Sequence, residues 1–178
     1  FFFFLMIRRP PRSTLFPYND ALPILVASVF VKMLVYSLNW QFTDYEMVAK
    51  FVNVFVLMTG VFFGIQKFKK SKKKKTEFLQ DVKAGMRIAA LYAVFMTAFV
   101  YLYYSTIDPE YFSLKLESQI ALAMDSDQKL NLDQIRNTGE MVLSPFFQST
   151  VTLIGFILVG SFYDSMITFL VRKFRFER

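Results

Sequence analysis

The sequence predicts an all-α integral membrane protein, a four-helix bundle with a helical extracytoplasmic excursion between its third and fourth helices. The first observation is a set of four long apolar stretches, at residues 25–40, 47–68, 82–104 and 146–171. The second is the composition, because 54% of the residues are hydrophobic and 19% are aromatic, more than soluble domains usually contain. The third is a run of lysines between the second and third stretches.

The lengths of these stretches favour helices over barrel strands. A membrane-spanning helix needs about 20 mostly apolar residues, whereas a barrel strand needs about 9–11 residues of alternating polarity. The second, third and fourth stretches are long enough to span, and the first is shorter. A soluble bundle of very apolar helices is the alternative interpretation. We predict one membrane domain over residues 25–178.

Residues 1–24 form an unusual beginning for such a protein. Residues 6–18 read MIRRPPRSTLFPY, which resembles the conceptual translation of a common short-read sequencing adapter, and residues 19–24 continue it after one extra base. A signal peptide is the alternative, but its charges would precede the apolar residues, whereas Arg8 and Arg9 follow them. We expect residues 1–24 to be adapter-derived, to have replaced the native N-terminus and to have truncated the first helix.

Basic residues predict the orientation, because Lys and Arg near the ends of spans favour the cytoplasmic side. The run after the second span comprises Lys67, Lys69, Lys70, Lys72, Lys73, Lys74 and Lys75. A second basic group follows the fourth span, whereas residues 105–144 are mainly acidic among their charged residues. We predict a bacterial inner-membrane protein with both termini in the cytoplasm and residues 105–144 outside it.

The net charge of +7 is compatible with a nucleic acid or a membrane as partner. The lysine run itself has two interpretations. Anionic lipid head groups attract such residues by about 1 kcal/mol each. The alternative is a solvated loop that only fixes the topology. No nucleic-acid-binding motif is present, so the predicted partners exclude nucleic acid. They are the lipid bilayer with its anionic lipids, and either a membrane protein or a second copy of the chain.

Charges inside the predicted spans are candidate sites, because they are costly in hydrocarbon. Asp164 and Arg87 lie at similar depths in the fourth and third spans, and an ion pair between them would offset both desolvation costs. Lys32 in the first span is expected to face the interior. The functional interpretation is a proton or small-solute pathway through these three residues. The structural alternative is an ion pair plus a lysine that extends to the interface.

Small residues at four-residue spacing predict close contacts between helices. They are Gly60 and Gly64 in the second span and Gly85, Ala89 and Ala93 in the third. We interpret them as intramolecular packing positions rather than as a seam between two copies.

Two amphipathic helices are predicted within residues 105–144. Asp108 before Pro109 and Ser144 before Pro145 each place a capping residue ahead of a proline, which is typical of a helix start. The first of the two helices has an apolar face: Phe112, Leu116, Ile120 and Met124. A packed connector and a ligand-binding cap are both compatible with this pattern.

Two further predictions concern the same outer end of the molecule. The second amphipathic helix is expected over residues 132–138 and to end at Gly139. Trp40, Tyr103 and Tyr104 are expected at the membrane–water interface, where aromatic side chains form a belt.

The residue types limit the chemistry, because the chain contains no His and no Cys. This excludes disulfides and the usual zinc, haem-thiolate, iron–sulfur and cysteine-nucleophile sites. No phosphate-binding loop, dinucleotide fingerprint or hydrolase motif is present. We predict a non-enzymatic structural or partner-binding subunit with no catalytic residue, cofactor or metal. The pathway is the alternative, and a membrane enzyme is the least favoured class.

Residues 78–112 and 143–173 carry a recurring set of motifs. A basic, Gly/Ala-rich start of the third span leads to Tyr-Tyr and Ile-Asp-Pro, and Ser-Pro-Phe opens the fourth span. The residues concerned are Lys83, Gly85, Arg87, Tyr103, Tyr104, Ile107, Asp108, Pro109, Ser144, Pro145 and Phe146. This arrangement resembles the bacterial membrane family called domain of unknown function 4199. The resemblance implies a four-helix inner-membrane protein and no assigned activity.

Overall fold

The computed structural model describes residues 16–72, 76–125 and 132–174, and within these ranges the regular structure is helical, with no strand. The helices are α1 (Phe16–Ser37), α2 (Asp44–Ser71), α3 (Phe78–Leu102), α4 (Tyr111–Asp125), α5 (Leu132–Val142) and α6 (Pro145–Lys173). A π-helical turn over Tyr103–Ile107 extends α3. The all-α prediction is therefore confirmed for the described residues.

Within these ranges, three helical segments are long and apolar enough to cross a membrane. They are Asp44–Ser71, Phe78–Ile107 and Pro145–Lys173, and the helical segment Ala21–Ser37 is apolar but shorter. Many large apolar side chains on these helices are exposed, among them Phe55, Phe63, Leu158 and Phe162. Exposed apolar surface of this extent suits lipid better than water. The helices therefore indicate a membrane protein.

The central helix is α3, which packs against α1, α2 and α6. Its most extensive contact is with α6, which runs antiparallel to it, since Gly85 lies opposite Asp164 and Ala89 lies opposite Gly160. Leu57, Val61 and Ile65 of α2 pack into the same core, together with Tyr92 and Ile167. The small residues of α3 thus allow the close approach of α6.

The two predicted helix starts have different outcomes. The Ser144 side chain caps α6 by accepting a hydrogen bond of 3.3 Å from the backbone amide of Phe147, with Pro145 at the first helical position. Asp108 does not begin a helix, because α4 starts at Tyr111. Its carboxylate instead accepts a hydrogen bond of 2.8 Å from the Gln41 side chain. A tertiary contact has taken the place of the local cap.

The prediction that Gly139 ends the second amphipathic helix is wrong, because α5 continues to Val142. A Cβ atom at Gly139 would collide with the Leu116 side chain of α4. The glycine therefore permits a close contact between α4 and α5, and it does not terminate the helix.

Some predictions fall on residues outside the described ranges. Residues 1–15 are among them, so the adapter interpretation of residues 1–24 stays a prediction, and α1 begins at Phe16. Lys73, Lys74 and Lys75 of the lysine run also lie outside the described residues. Lys67, Lys69 and Lys70 lie in the last turns of α2.

Candidate functional site

A cavity of about 310 Å³ lies where α1 and α3 end and α2 and α6 begin, against one side of α4. We call it the Lys32 pocket. Its apolar lining includes Val35, Val54, Met96, Phe99, Val100, Phe112, Phe156 and Val159. Its polar lining includes Lys32, Glu46, Lys50, Asn53, Tyr104, Tyr111, Lys115, Gln148 and Thr152. Its size is at the lower end of the range for ligand sites, about 300–1,000 Å³.

Lys32 enters this pocket from α1 and is surrounded by tyrosine rings. Its Nζ donates a hydrogen bond of 3.0 Å to the hydroxyl of Tyr104. The same atom lies 4.8 Å, 4.9 Å and 5.4 Å from the ring centroids of Tyr103, Tyr104 and Tyr111. Cation–π contacts of this kind contribute about 2 kcal/mol or more when they are desolvated. No ion pair between described residues includes Lys32, so the rings hold its ammonium group.

Glu46 is the one carboxylate in the described lining of the pocket, and two partners fix it. The hydroxyl of Tyr111 donates a hydrogen bond of 2.7 Å to Oε1, and the Lys50 Nζ lies 3.1 Å from the same oxygen. Lys115 donates a hydrogen bond of 3.2 Å to the Tyr111 hydroxyl. Burial raises the pKa of Tyr111, and its hydrogen bond to Glu46 raises it further. Tyr111 therefore stays a neutral donor.

The Ile-Asp-Pro motif lies beside the pocket and connects the end of α3 to α1 and to the loop that follows α1. Asp108 Oδ2 accepts hydrogen bonds from Gln41 at 2.8 Å and from the Tyr103 hydroxyl at 3.3 Å. The Tyr36 hydroxyl donates to the Ile107 carbonyl at 3.3 Å. Burial raises the pKa of Asp108, although the hydrogen bond from Tyr103 and the charge of Lys32 oppose the rise. These contacts hold the π-helical turn against the end of α1.

The predicted ion pair between Arg87 and Asp164 is wrong. Asp164 is fully buried against Gly85, and neither of its carboxylate oxygens has a hydrogen-bond partner among the described residues. Arg87 is exposed, because it lies two positions after Gly85 and so on another face of α3. The ion pair that does join α3 and α6 has Arg172 Nη2 2.8 Å from the Asp81 Oδ2.

The three charges proposed for a pathway are not brought together. Lys32 lies in the pocket where α1 and α3 end, whereas Asp164 faces Gly85 near the opposite ends of α3 and α6. The glycines of α2 are both buried at helix contacts, Gly60 beside Ile24 and Gly64 beside Ile88. Asp164, Gly85, Gly60 and Gly64 are all absent from the lining of the Lys32 pocket.

Sequence reasoning missed the tyrosine rings around Lys32. Tyr103 and Tyr104 were predicted at the interface, but they are 1% and 9% exposed. Tyr111 and Glu46 were not singled out, although both are buried polar groups of the site. One signal in the sequence could have predicted this contact. Lys32 lies inside the first span at about the depth of Tyr103 and Tyr104, near the end of the third span.

The family model described as "Protein of unknown function (DUF4199)" matches residues 22–173, which is most of the chain. The chain belongs to the DUF4199 family. No match was found among the curated proteins or among the solved structures. In this DUF4199 chain the matched range contains the Lys32 pocket and the α3–α6 contact. The description of DUF4199 assigns no activity, so a function has to be argued from the geometry.

Proposed function

We propose that this DUF4199 protein is a non-enzymatic, four-span protein of the bacterial inner membrane that acts as a binding subunit. The Lys32 pocket, with its apolar walls and few convergent polar groups, is the observation that carries the proposal. Pockets of this composition are the usual binding sites of proteins. Lys32 is hydrogen-bonded to Tyr104, and Glu46 contacts Tyr111 and Lys50. These interactions favour a binding role over a catalytic one.

In this proposal α1 is the fourth spanning helix, and its apolar segment Ala21–Ser37 is shorter than the other three. The basic ends of α2 and α6 lie in the cytoplasm with both termini, and residues 105–144 lie outside. The Lys32 pocket then opens toward the outer side of the membrane. The bilayer with its anionic lipids surrounds the exposed apolar faces, and a membrane protein or a second copy of the chain is the proposed partner.

Cysteine labelling tests this orientation without background, because the chain has no Cys. We expect Ser118→Cys on α4 to react with a membrane-impermeant maleimide in intact spheroplasts. Lys72→Cys, just after α2, is expected to react only after permeabilisation. Both positions are exposed, so accessibility within the fold does not limit the reaction. The unmodified chain is the blank. The reverse pattern, or equal labelling of both positions before permeabilisation, would contradict the proposed topology.

A proton pathway through Asp164 is the second candidate function. The observation that favours it is a fully buried carboxyl group whose oxygens have no hydrogen-bond partner in the described part of the chain. Intramembrane carboxyl groups of this kind are typical of proton relays. Arg87 is exposed on another face of α3 and Lys32 lies in the Lys32 pocket, so this version of the pathway uses Asp164 without them.

Replacing Asp164 by Asn tests that candidate. We expect normal abundance, since no ion pair is lost, together with loss of proton flux into vesicles that contain the purified protein and a pH-sensitive dye. Arg87→Gln, at an exposed position of α3, is the control and is expected to leave the flux unchanged. Unchanged flux in Asp164→Asn would remove Asp164 from any proton pathway. A fall in abundance would instead assign it a structural role.

A further inference from the structure

We infer that the Lys32 pocket binds an amphiphile with one anionic head group, a carboxylate or a phosphate, and one unbranched apolar chain. This inference rests on the proposed binding role of the pocket and adds the class of ligand. It is carried by the charge of the lining, by the apolar wall and volume of the cavity, and by one glycine that leaves part of the cavity open.

The charge of the lining favours an anion. Lys32, Lys50 and Lys115 contribute three positive charges, and Glu46 contributes one negative charge. Glu46 contacts Lys50, and no described carboxylate lies within ion-pair distance of Lys32 or Lys115, although Asp108 is close enough to Lys32 to interact with its charge. An ammonium group has three donors, and the hydrogen bond to Tyr104 uses one of those of Lys32. An anionic head group would accept hydrogen bonds from the remaining donors and balance the positive charge of the half-buried Lys32.

A further polar group in the lining also lacks a partner. The side-chain oxygen of Asn53 is buried and has no hydrogen-bond partner among the described residues, and Asn53 lies one turn of α2 beyond Lys50. That oxygen only accepts hydrogen bonds, so an ionised carboxylate could not pair with it, whereas the hydroxyl of a singly protonated phosphate could donate to it. The ammonium groups of Lys32, Lys50 and Lys115 therefore define the part of the lining that an anionic head group would contact.

The other end of the pocket is apolar and partly open. Met96, Phe99 and Val159 form part of its wall, and such side chains would favour an alkyl chain over water. No atom of the described residues lies within 4 Å of the position that a Cβ of Gly155 would take. The volume of about 310 Å³ suits one chain better than the two chains of a diacyl lipid.

These features disfavour the other ligand classes. A small inorganic anion would satisfy the ammonium groups but would leave the apolar wall without a partner. A cationic amphiphile would meet like charges, which disfavour its binding. An uncharged amphiphile would fill the apolar end and leave Lys32 without an anion.

Decanoate is the probe that tests the inference, with the full-length chain in nanodiscs of zwitterionic phosphatidylcholine. We expect saturable binding of radiolabelled decanoate above the level of empty nanodiscs. Decyl phosphate is expected to compete with it, and decanol and decyltrimethylammonium are expected to compete about tenfold less well or worse. Acetate and inorganic phosphate are expected not to compete, which distinguishes the amphiphile from its free head group.

Two variants locate the site, each with a matched control. Lys32→Met removes the charge and keeps the length of the side chain, and Gly155→Leu fills the open part of the cavity. Both are expected to weaken decanoate binding about tenfold or more. Lys83→Met and Ser165→Leu make the same changes at exposed positions of α3 and α6 and are expected to bind as the unmodified chain does. If Lys32→Met fails to fold, Gly155→Leu still tests the site.

Several results would overturn the inference. They are the absence of saturable decanoate binding, equal competition by decanol, or unchanged binding in Gly155→Leu when it is folded. Competition by acetate or inorganic phosphate as strong as that of decanoate would also overturn it and assign the pocket to a free anion. The maleimide pattern separates this failure from failure of the proposed topology, since it does not depend on any ligand.

Discussion

Gly85→Ala is expected to destabilise the protein by about 1–3 kcal/mol, although it adds a single methyl group. Gly85 is buried in α3, and a Cβ there would collide with the Asp164 carboxylate and lie 3.1 Å from the Val61 side chain. Asp164 is buried in the most extensive helix contact, so its carboxylate can relieve the collision only by a rotamer change within the packed core or by a shift of α6. The free energy of unfolding measured in mixed micelles checks the prediction.

Two glycines of α6 provide comparisons for this effect. A Cβ at Gly160 would lie 2.8 Å from that of Ala89, which cannot rotate away, so Gly160→Ala is also expected to destabilise the protein. A Cβ at Gly155 would meet no described atom within 4 Å, so Gly155→Ala is expected to be neutral or slightly stabilising through better helix propensity. Equal free energies of unfolding for all three variants would contradict the packing explanation.

Arg172→Met is expected to have the second large effect on stability. The Arg172 guanidinium contacts Asp81 through Nε at 3.0 Å and Nη2 at 2.8 Å, and it also donates to the Thr76 carbonyl. Asp81 is fully buried, so removing the guanidinium leaves its carboxylate without this partner. Removing one partner of a buried pair costs about 3–5 kcal/mol. The Arg172 side chain is 33% exposed, so we expect a loss near the lower limit.

Two comparisons show whether the pair is the cause. The double variant Arg172→Met, Asp81→Asn removes the uncompensated charge and is expected to recover much of the lost free energy of unfolding. Lys173→Met removes a neighbouring positive charge at an exposed position and is expected to change stability little. A loss in Lys173→Met as large as that in Arg172→Met would indicate a general effect of charge at the end of α6.

Features that depend on local sequence were predictable. Hydropathy identified the long helices, because a run of apolar residues needs no knowledge of its neighbours. The start of α6 was likewise predictable, since the Ser144 cap and Pro145 act within one turn of the chain. The family was recognisable from motifs that lie within the matched range, residues 22–173.

Contacts that depend on the rotation of each helix were not predictable. A span that is apolar on nearly every side does not reveal which face points inward. The predicted pair of Arg87 and Asp164 therefore rested only on their similar depth in the two spans. Asp81, just inside α3, was the actual partner of a basic residue on α6. The pocket was hidden for the same reason, because Lys32 and Glu46 meet through Tyr111 of a helix that is distant in sequence.

Tyr111 connects α4 to charged residues of both α1 and α2. Its ring centroid lies 5.4 Å from the Lys32 Nζ while its hydroxyl donates to Glu46, so one side chain of α4 contacts charged groups of both α1 and α2. Displacing α4 would remove that donor from Glu46 and one of the three rings from Lys32, whereas Tyr103 and Tyr104 would still contact Lys32. The solvation of Glu46 therefore depends on the position of α4, and a spectroscopic label on α4 would report a change in that position.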